Sequence, residues 1–526
     1  MKRIILFFIF LFFYLNIFSQ RVEIHGQFRG VWITTVKRLD FPSRNNLNAD
    51  ELKLEITNII DSCKALGMNA IVFQIRPAAD AFYKSDYEPW SEWLTGKQGR
   101  APSPYFDPME FMIEETHKRK MQFHAWINPF RAVATFSKAH VVSNHISKTK
   151  SNWFFNYGVN KYFDPGIPEV RNYIALIISD IVRRYDIDAI HFDDYFYPYP
   201  IKNSQNQIID IPDKDTYKKY GNGFSNIKDW RRDNINKFVK QISDSINNIS
   251  PWVRFGISPP GVWRNKGYDA DGSATLGLAA YDWLFADVLL WIKNDWIDYV
   301  TPQLYWHIGH KRANFTILLD WWVKHNYNTD LYIGLNIHTI DKTGKDRHWG
   351  NPNEIPQQIK LIESYAKVKG FILFRYKSLS PNPLGIKDAL RKKYYKDTTQ
   401  VVLITKKQIP DLDTFKVVPK INNLVIPKPS KPKNIYKYRI ANEISITWES
   451  NKFEEKIAYY NIYRFEKNKI EELDSTNLFL RSYKDYFRFK RNKNIVLFGK
   501  KYTFIITAIN QYGKESDASD AISFRL

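Results

Sequence analysis

The chain has 526 residues, 44% hydrophobic and 16% aromatic, which excludes a disordered or low-complexity protein and exceeds what one ordinary core accommodates. Its formal net charge of +22 suits anionic polymers or surfaces, but the lysines are scattered and no nucleic-acid recognition motif is present, so specific nucleic-acid binding is not expected. The single cysteine excludes an intrachain disulfide, and Cys63 reads as a helix core residue.

The N-terminus reads "MKRIILFFIFLFFYLNIFSQ". Lys2 and Arg3 precede an apolar run over 4–15 and a small Ser19, the pattern of a secretory signal over residues 1–20. The run is too short to span a bilayer comfortably. Export to the periplasm, the cell envelope or the exterior is expected.

From residue 28 onward short apolar runs alternate with helical patterns. Strands are expected at 28–35, 69–77, 122–129, 188–196, 253–261, 298–306, 330–337 and 370–376, each rich in β-branched or aromatic residues. Helices are expected at 49–67, 107–120, 167–185, 227–249, 278–293, 314–325, 354–368 and 383–394. Eight such repeats over 27–395 predict an α/β fold, a (β/α)8 TIM barrel. Long loops follow the second, third and fourth strands, on the face where such barrels carry chemistry. A Pro/Lys-rich linker is expected over 396–433. The alternating runs of 434–526 predict a small all-β immunoglobulin-like sandwich.

The strand C-termini carry the candidate site. They present Trp32, Gln74 and Arg76, then Trp126 and Asn128 with Arg131 just beyond, His191, Asp193, Asp194 and Tyr195, then Gln303, Tyr305, Trp306 and His307, and Asn336. Aromatic, amide and basic groups around two carboxylates suit a neutral polyhydroxyl ligand. Arg76 is placed either at substrate or against Asp193. No metal-ligand spacing such as H-x-H or HExxH occurs, and no cofactor is expected.

"FRGVWITT", "FQIRPAADAFYKSDYEPWSEWLTG", "HAWINPFR", "DAIHFDDYFYPYP", "FGISPPGVWRN" and "YVTPQLYW" together resemble the glycosyl-hydrolase-like 10 family of exported bacterial barrel proteins. The resemblance implies glycoside hydrolysis, with a cell-wall glycan as the substrate class. A non-catalytic glycan-binding protein on the same scaffold is the alternative. The C-terminal segment resembles a fibronectin type III module through Trp448 and the stretch from Tyr502 to Gly513. That module is read as a spacer or as docking to glycan or protein.

Adjacent Asp193 and Asp194 are the expected acid and polarising groups. On a regular strand they would point to opposite faces, so a twist or bulge is required to bring both inward. Strand six ends without a carboxylate, and Asp80, Glu88, Glu92 and Asp341 are only loop acids. An N-acetyl group on the sugar can replace an enzymic nucleophile. One of Asp193 and Asp194 would then orient the amide and the other donate the proton, with the Tyr305 hydroxyl holding the carbonyl.

Overall fold

The computed structural model describes residues 21–394 apart from 25, 135–140, 342 and 344, then 401–404, and in the C-terminal part 428–440, 443–450, 457–466, 473, 477–482, 485–490, 501–510 and 515–525. The expected signal at 1–20 lies outside the described residues.

Eight parallel strands close into a barrel: β1 (Phe28–Ile33), β2 (Ala70–Arg76), β3 (Gln122–Ile127), β4 (Ala189–Phe192), β5 (Arg254–Ile257), β6 (Tyr299–Val300), β7 (Asp330–Asn336) and β8 (Val368–Phe374). Each pairs with its sequence neighbour, and β8 returns to β1 through Gly370 opposite Phe28. Outward side chains such as Ile71, Phe123, Ile190 and Ile257 join the large core beneath the helices. Inward ones, including Phe28, Trp32, Val72, Trp126, Ala189, Tyr299, Tyr332 and Ile372, fill the barrel. Gly256 makes room for the Tyr299 ring, since a Cβ there would lie 2.0 Å from it.

The helices follow the expected order: α1 (Ala49–Ala65), α2 (Pro108–Lys118), α3 (Pro168–Arg184), α4 (Ile227–Ile249), α5 (Val288–Lys293), α6 (Phe315–His325), α7 (Glu354–Glu363) and α8 (Ile386–Tyr394). Sequence signals set their starts. Asn48 and Glu51 form a reciprocal capping box on α1, and Asp107 caps α2 ahead of Pro108. The fifth helix is shorter than its apolar pattern. A single turn at Ala280–Trp283 stops near Phe285, whose φ is +53°, and Asp287 caps a new start. The seventh ends at Glu363 because Val368 already belongs to β8.

Residues 21–405 form one compact unit. The first part of the expected linker is therefore not wholly linker: Val401–Ile404 pairs antiparallel with Arg21–Ile24.

The C-terminal unit contains a three-stranded antiparallel sheet (Lys433–Ile440, Glu443–Glu449, Tyr486–Lys490) and a four-stranded one (Leu478–Ser482, Ile457–Glu466, Lys501–Asn510, Ile522–Arg525). Ile446, Trp448 and Phe487 from the first share a core with Tyr460, Ile462, Phe504 and Phe524 from the second. This is the expected all-β sandwich. Among the described residues no helix is long and apolar enough to cross a membrane.

Candidate active site

A polar column fills the barrel below its C-terminal mouth. Gln122 Oε1 lies 3.0 Å from His124 Nε2, His124 Nδ1 lies 2.9 Å from the Tyr299 hydroxyl, and that hydroxyl lies 3.0 Å from His191 Nδ1. An amide oxygen only accepts, so His124 carries its proton on Nε2 and accepts from Tyr299. The Tyr299 oxygen then accepts from His191 Nδ1–H, which leaves His191 Nε2 to accept from Trp32 Nε1–H at 3.2 Å, with Ser258 Oγ at 3.0 Å. Burial depresses both histidines, His191 to about 3, so both are neutral. Two expectations are corrected here. Trp32 (2% exposed) and His191 (fully buried) bond to each other inside the barrel and do not offer faces to a sugar.

The acid pair sits directly above. Phe192 points outward, its ring 5.7 Å from Phe238 and 5.0 Å from Phe255, and β4 stops there. Asp193 and Asp194 therefore lie beyond the regular pleat, and no bulge within the strand is needed. Asp193 turns toward β3 and accepts from Trp126 Nε1 at 3.3 Å and from the Asn128 amide. Asp194 accepts from the Tyr199 hydroxyl and from the Gln303 side chain beyond β6. Gln303 also donates to the Ser258 carbonyl at 2.9 Å. Both acids are buried (4% and 5% exposed). Burial pushes both above the usual carboxylate range; Asp194's charge pushes Asp193 further up, while Arg131 opposes the rise in both. Tyr305 stacks on Phe374 at 5.6 Å, and burial, then the Asp194 charge, raises its phenol. Its hydroxyl therefore keeps its proton as a hydrogen-bond donor.

Behind the pair stands a rigid frame. Gln74 accepts from the Thr35 and Val36 amides, both at 2.9 Å, and donates to Asn128 Oδ1 at 2.5 Å. Arg131 Nη2 donates to the same oxygen at 2.9 Å. With its oxygen doubly occupied, Asn128 can present only its NH2 to Asp193. Gln74 thus orients another residue and has no acceptor left for substrate. Arg76 does not pair with Asp193. Its Nε and Nη2 bond Glu88 at 2.7 and 2.6 Å, and its Nη1 holds the Asn128 and Pro129 carbonyls. Fully buried, it is a pillar and not a ligand group. Asn336 is also buried, its oxygen accepting from the His338 and Thr339 amides in a turn.

The half-buried rim comprises Arg131, Tyr195, Gln303, Tyr305, Trp306 and His307. The Arg131 guanidinium lies 5.5 Å from the centre of the Tyr195 ring, and the His307 ring stacks on His348 at 3.7 Å. Three of the loop acids are committed elsewhere. Glu88 holds Arg76; Asp80 is buried, pushed up to about 8, and takes the Ala78 amide at 3.3 Å; Asp341 caps its own loop at the Thr343 and Asp346 amides. Sequence reasoning missed Tyr199 and Phe374, and it named Glu88 only as a loop acid, not as the partner of Arg76. The Tyr-Pro repeat directly after the acid pair was the available signal for Tyr199. Nothing in one sequence marks Glu88 as the partner of Arg76. Among the described residues no group of three His, Cys, Asp or Glu side chains could hold a metal ion.

Residues 27–351 match the family model described as glycosyl hydrolase-like 10. The chain belongs to that family. It is 40% identical over 508 residues to glycosyl hydrolase YngK of Bacillus subtilis, covering 95% of this chain and 94% of that protein. It is 36% identical over 369 residues to glycosyl hydrolase DigH of Escherichia coli K12, covering 66% of this chain and 82% of that protein. Among solved structures, the catalytic domain of β-amylase from Paenibacillus polymyxa superposes with a TM-score of 0.45 at 10% identity, over 71% of this chain and 99% of that one. The polypeptide is thus a glycoside hydrolase-like barrel carrying an all-β module.

Proposed function

We propose that this protein hydrolyses O-glycosidic bonds in an N-acetylated, peptidoglycan-type glycan, exported to where that polymer is found. One observation carries the reading. Two adjacent buried carboxyls occupy the barrel mouth, both raised toward neutrality and each held by its own donors. Two carboxylates this close cannot both stay charged in a low-dielectric site, so they share a proton near neutral pH. One member then protonates the leaving oxygen and the other polarises the substrate amide.

The commitment of Asp80 and Asp341 to their own loops, and of Glu88 to Arg76, favours the substrate's acetamide oxygen as nucleophile. That oxygen attacks C1 as the glycosidic C–O bond breaks and the leaving oxygen takes the proton from the acid. Water, deprotonated by the same residue, then opens the cyclic intermediate. In this reading Tyr305 Oη–H holds the acetamide carbonyl. Tyr195, Trp306 and His307 offer ring surface for neighbouring sugars, and Arg131 and Gln303 offer hydrogen bonds. The C-terminal module, which resembles fibronectin type III, serves as a spacer or docking unit.

The test is hydrolysis of denuded peptidoglycan glycan strands by Asp193→Asn and Asp194→Asn. Each is expected to lose about 10²–10⁴-fold in kcat. Binding without turnover by the unaltered protein would favour the glycan-binding alternative, and full activity in both variants would end the assignment of these residues.

A further inference from the structure

The two acids are chemically identical, yet their surroundings are not. Asp193 is served from β3 by an indole N–H at 3.3 Å and the Asn128 amide, and by the Tyr195 backbone N–H at 3.4 Å. All three donors are N–H groups. Asp194 is served by a phenolic O–H from Tyr199 and by the Gln303 amide. A hydroxyl donating to a carboxylate forms a shorter and stronger bond than an N–H does. The two donor sets share no side chain. Arg131 opposes the rise in both acids.

Tyr199 is also held firmly. It lies between Pro198 and Pro200, whose rings fix φ on either side. Its ring meets Tyr195 edge-on at 5.4 Å, and Tyr195 lies beneath Arg131. Two residues on, Ile201 donates its amide to the Tyr157 hydroxyl at 3.2 Å, and that hydroxyl donates to the Ile209 carbonyl at 2.7 Å. The phenol therefore reaches Asp194 from an anchored loop.

We propose that Tyr199 is a positioning residue that makes Asp194 the charged member of the pair and leaves the shared proton on Asp193. This rests on the glycosidase reading above and divides the labour within it: Asp193 is the general acid, and Asp194 orients and polarises the substrate amide. The Tyr199 hydroxyl touches neither substrate nor the breaking bond. It acts through Asp194 alone.

The experiment uses the full chain, with Tyr199→Phe and, as a second route, Gln303→Leu, which removes the other donor to Asp194. The pH dependence of kcat is followed on denuded glycan strands, and the carboxyl infrared bands of each variant are titrated against Asp194→Asn as reference. In Tyr199→Phe the acidic limb should move up by about one pH unit, a tenfold loss at the low-pH end that recovers as pH rises. KM should change little, and the Asp194 carboxyl band should titrate higher by the same amount. Gln303→Leu should move the same limb in the same direction, so the idea survives if Tyr199→Phe fails to fold. A uniform fall in kcat with an unmoved profile, or an upward shift of the alkaline limb, would overturn the assignment. The infrared titration requires no turnover. Failure of the protein to cleave the glycan would defeat the glycosidase reading, while an unmoved Asp194 band would defeat the role of Tyr199.

Discussion

The buried pair of Arg76 and Glu88 gives the sharpest energetic prediction. Both side chains are fully shielded from solvent, and the contact is bidentate at 2.6 and 2.7 Å. Glu88→Gln leaves a guanidinium without its counter-ion in a dry site, a change that typically costs about 3–5 kcal/mol. For a cooperative unit the size of this barrel the unfolding entropy is on the order of 0.8 kcal/mol/K, so the main calorimetric transition should fall by about 4–6 °C. The drop should be the same in low and high salt, because solvent ions do not reach the pair. Activity should fall as well, since Arg76 Nη1 also holds the Asn128 and Pro129 carbonyls and so steadies the amide that reaches Asp193. The double change Arg76→Met with Glu88→Leu removes both charges and should recover most of the lost stability. A Glu88→Gln protein that melts like the parent, or a double variant no better than the single one, would refute the reasoning.

Gln74→Leu should free the Asn128 amide to rotate and lower kcat by about 10–100-fold with little change in KM, as steady-state kinetics would show. Asp80 has its folded value raised to about 8 by burial. The stability it contributes is complete below pH about 4 and is lost as pH rises through about 8. Asp80→Asn should therefore match the parent in denaturant titrations near pH 4, exceed it increasingly up to about pH 8, and keep that margin at higher pH. Trp448→Ala deletes the ring packed on Tyr460 and Phe487 and should cost the C-terminal module about 3–5 kcal/mol. Calorimetry should show its transition lost, while cleavage of short glycan strands by the barrel persists.

The barrel was legible because each repeat states its own period: alternating apolar strands and helices with Asp or Asn at their starts, as at Asn48 and Asp107. The fifth helix misled because its apolar spacing continues through Phe285, where the backbone turns left-handed, and spacing does not register that turn. The acid pair, Asn128, Gln303 and Tyr305 could be nominated because polar groups at strand ends are costly without a purpose. Burial was the part that could not be read. Trp32, Gln74, Arg76, His191 and Asn336 look like site residues in one dimension, but each is consumed by other partners: Glu88 for Arg76 and Ser258 for His191, and for Asn336 the amides of its own turn. The C-terminal stretch announced its strands through alternation, while Lys433–Ile440 and Tyr486–Lys490 emerged only from their cross-strand registers.

The column from Gln122 through His124 and Tyr299 to His191 has one further effect. Its protons all point one way, and burial holds both imidazoles neutral. The floor beneath the acids is thus electrically silent, a fixed reference against which the acid pair above it responds to acidity. A change in the loops above can therefore shift the pair's pKa without disturbing the barrel floor, as a lamp is dimmed without rewiring the house.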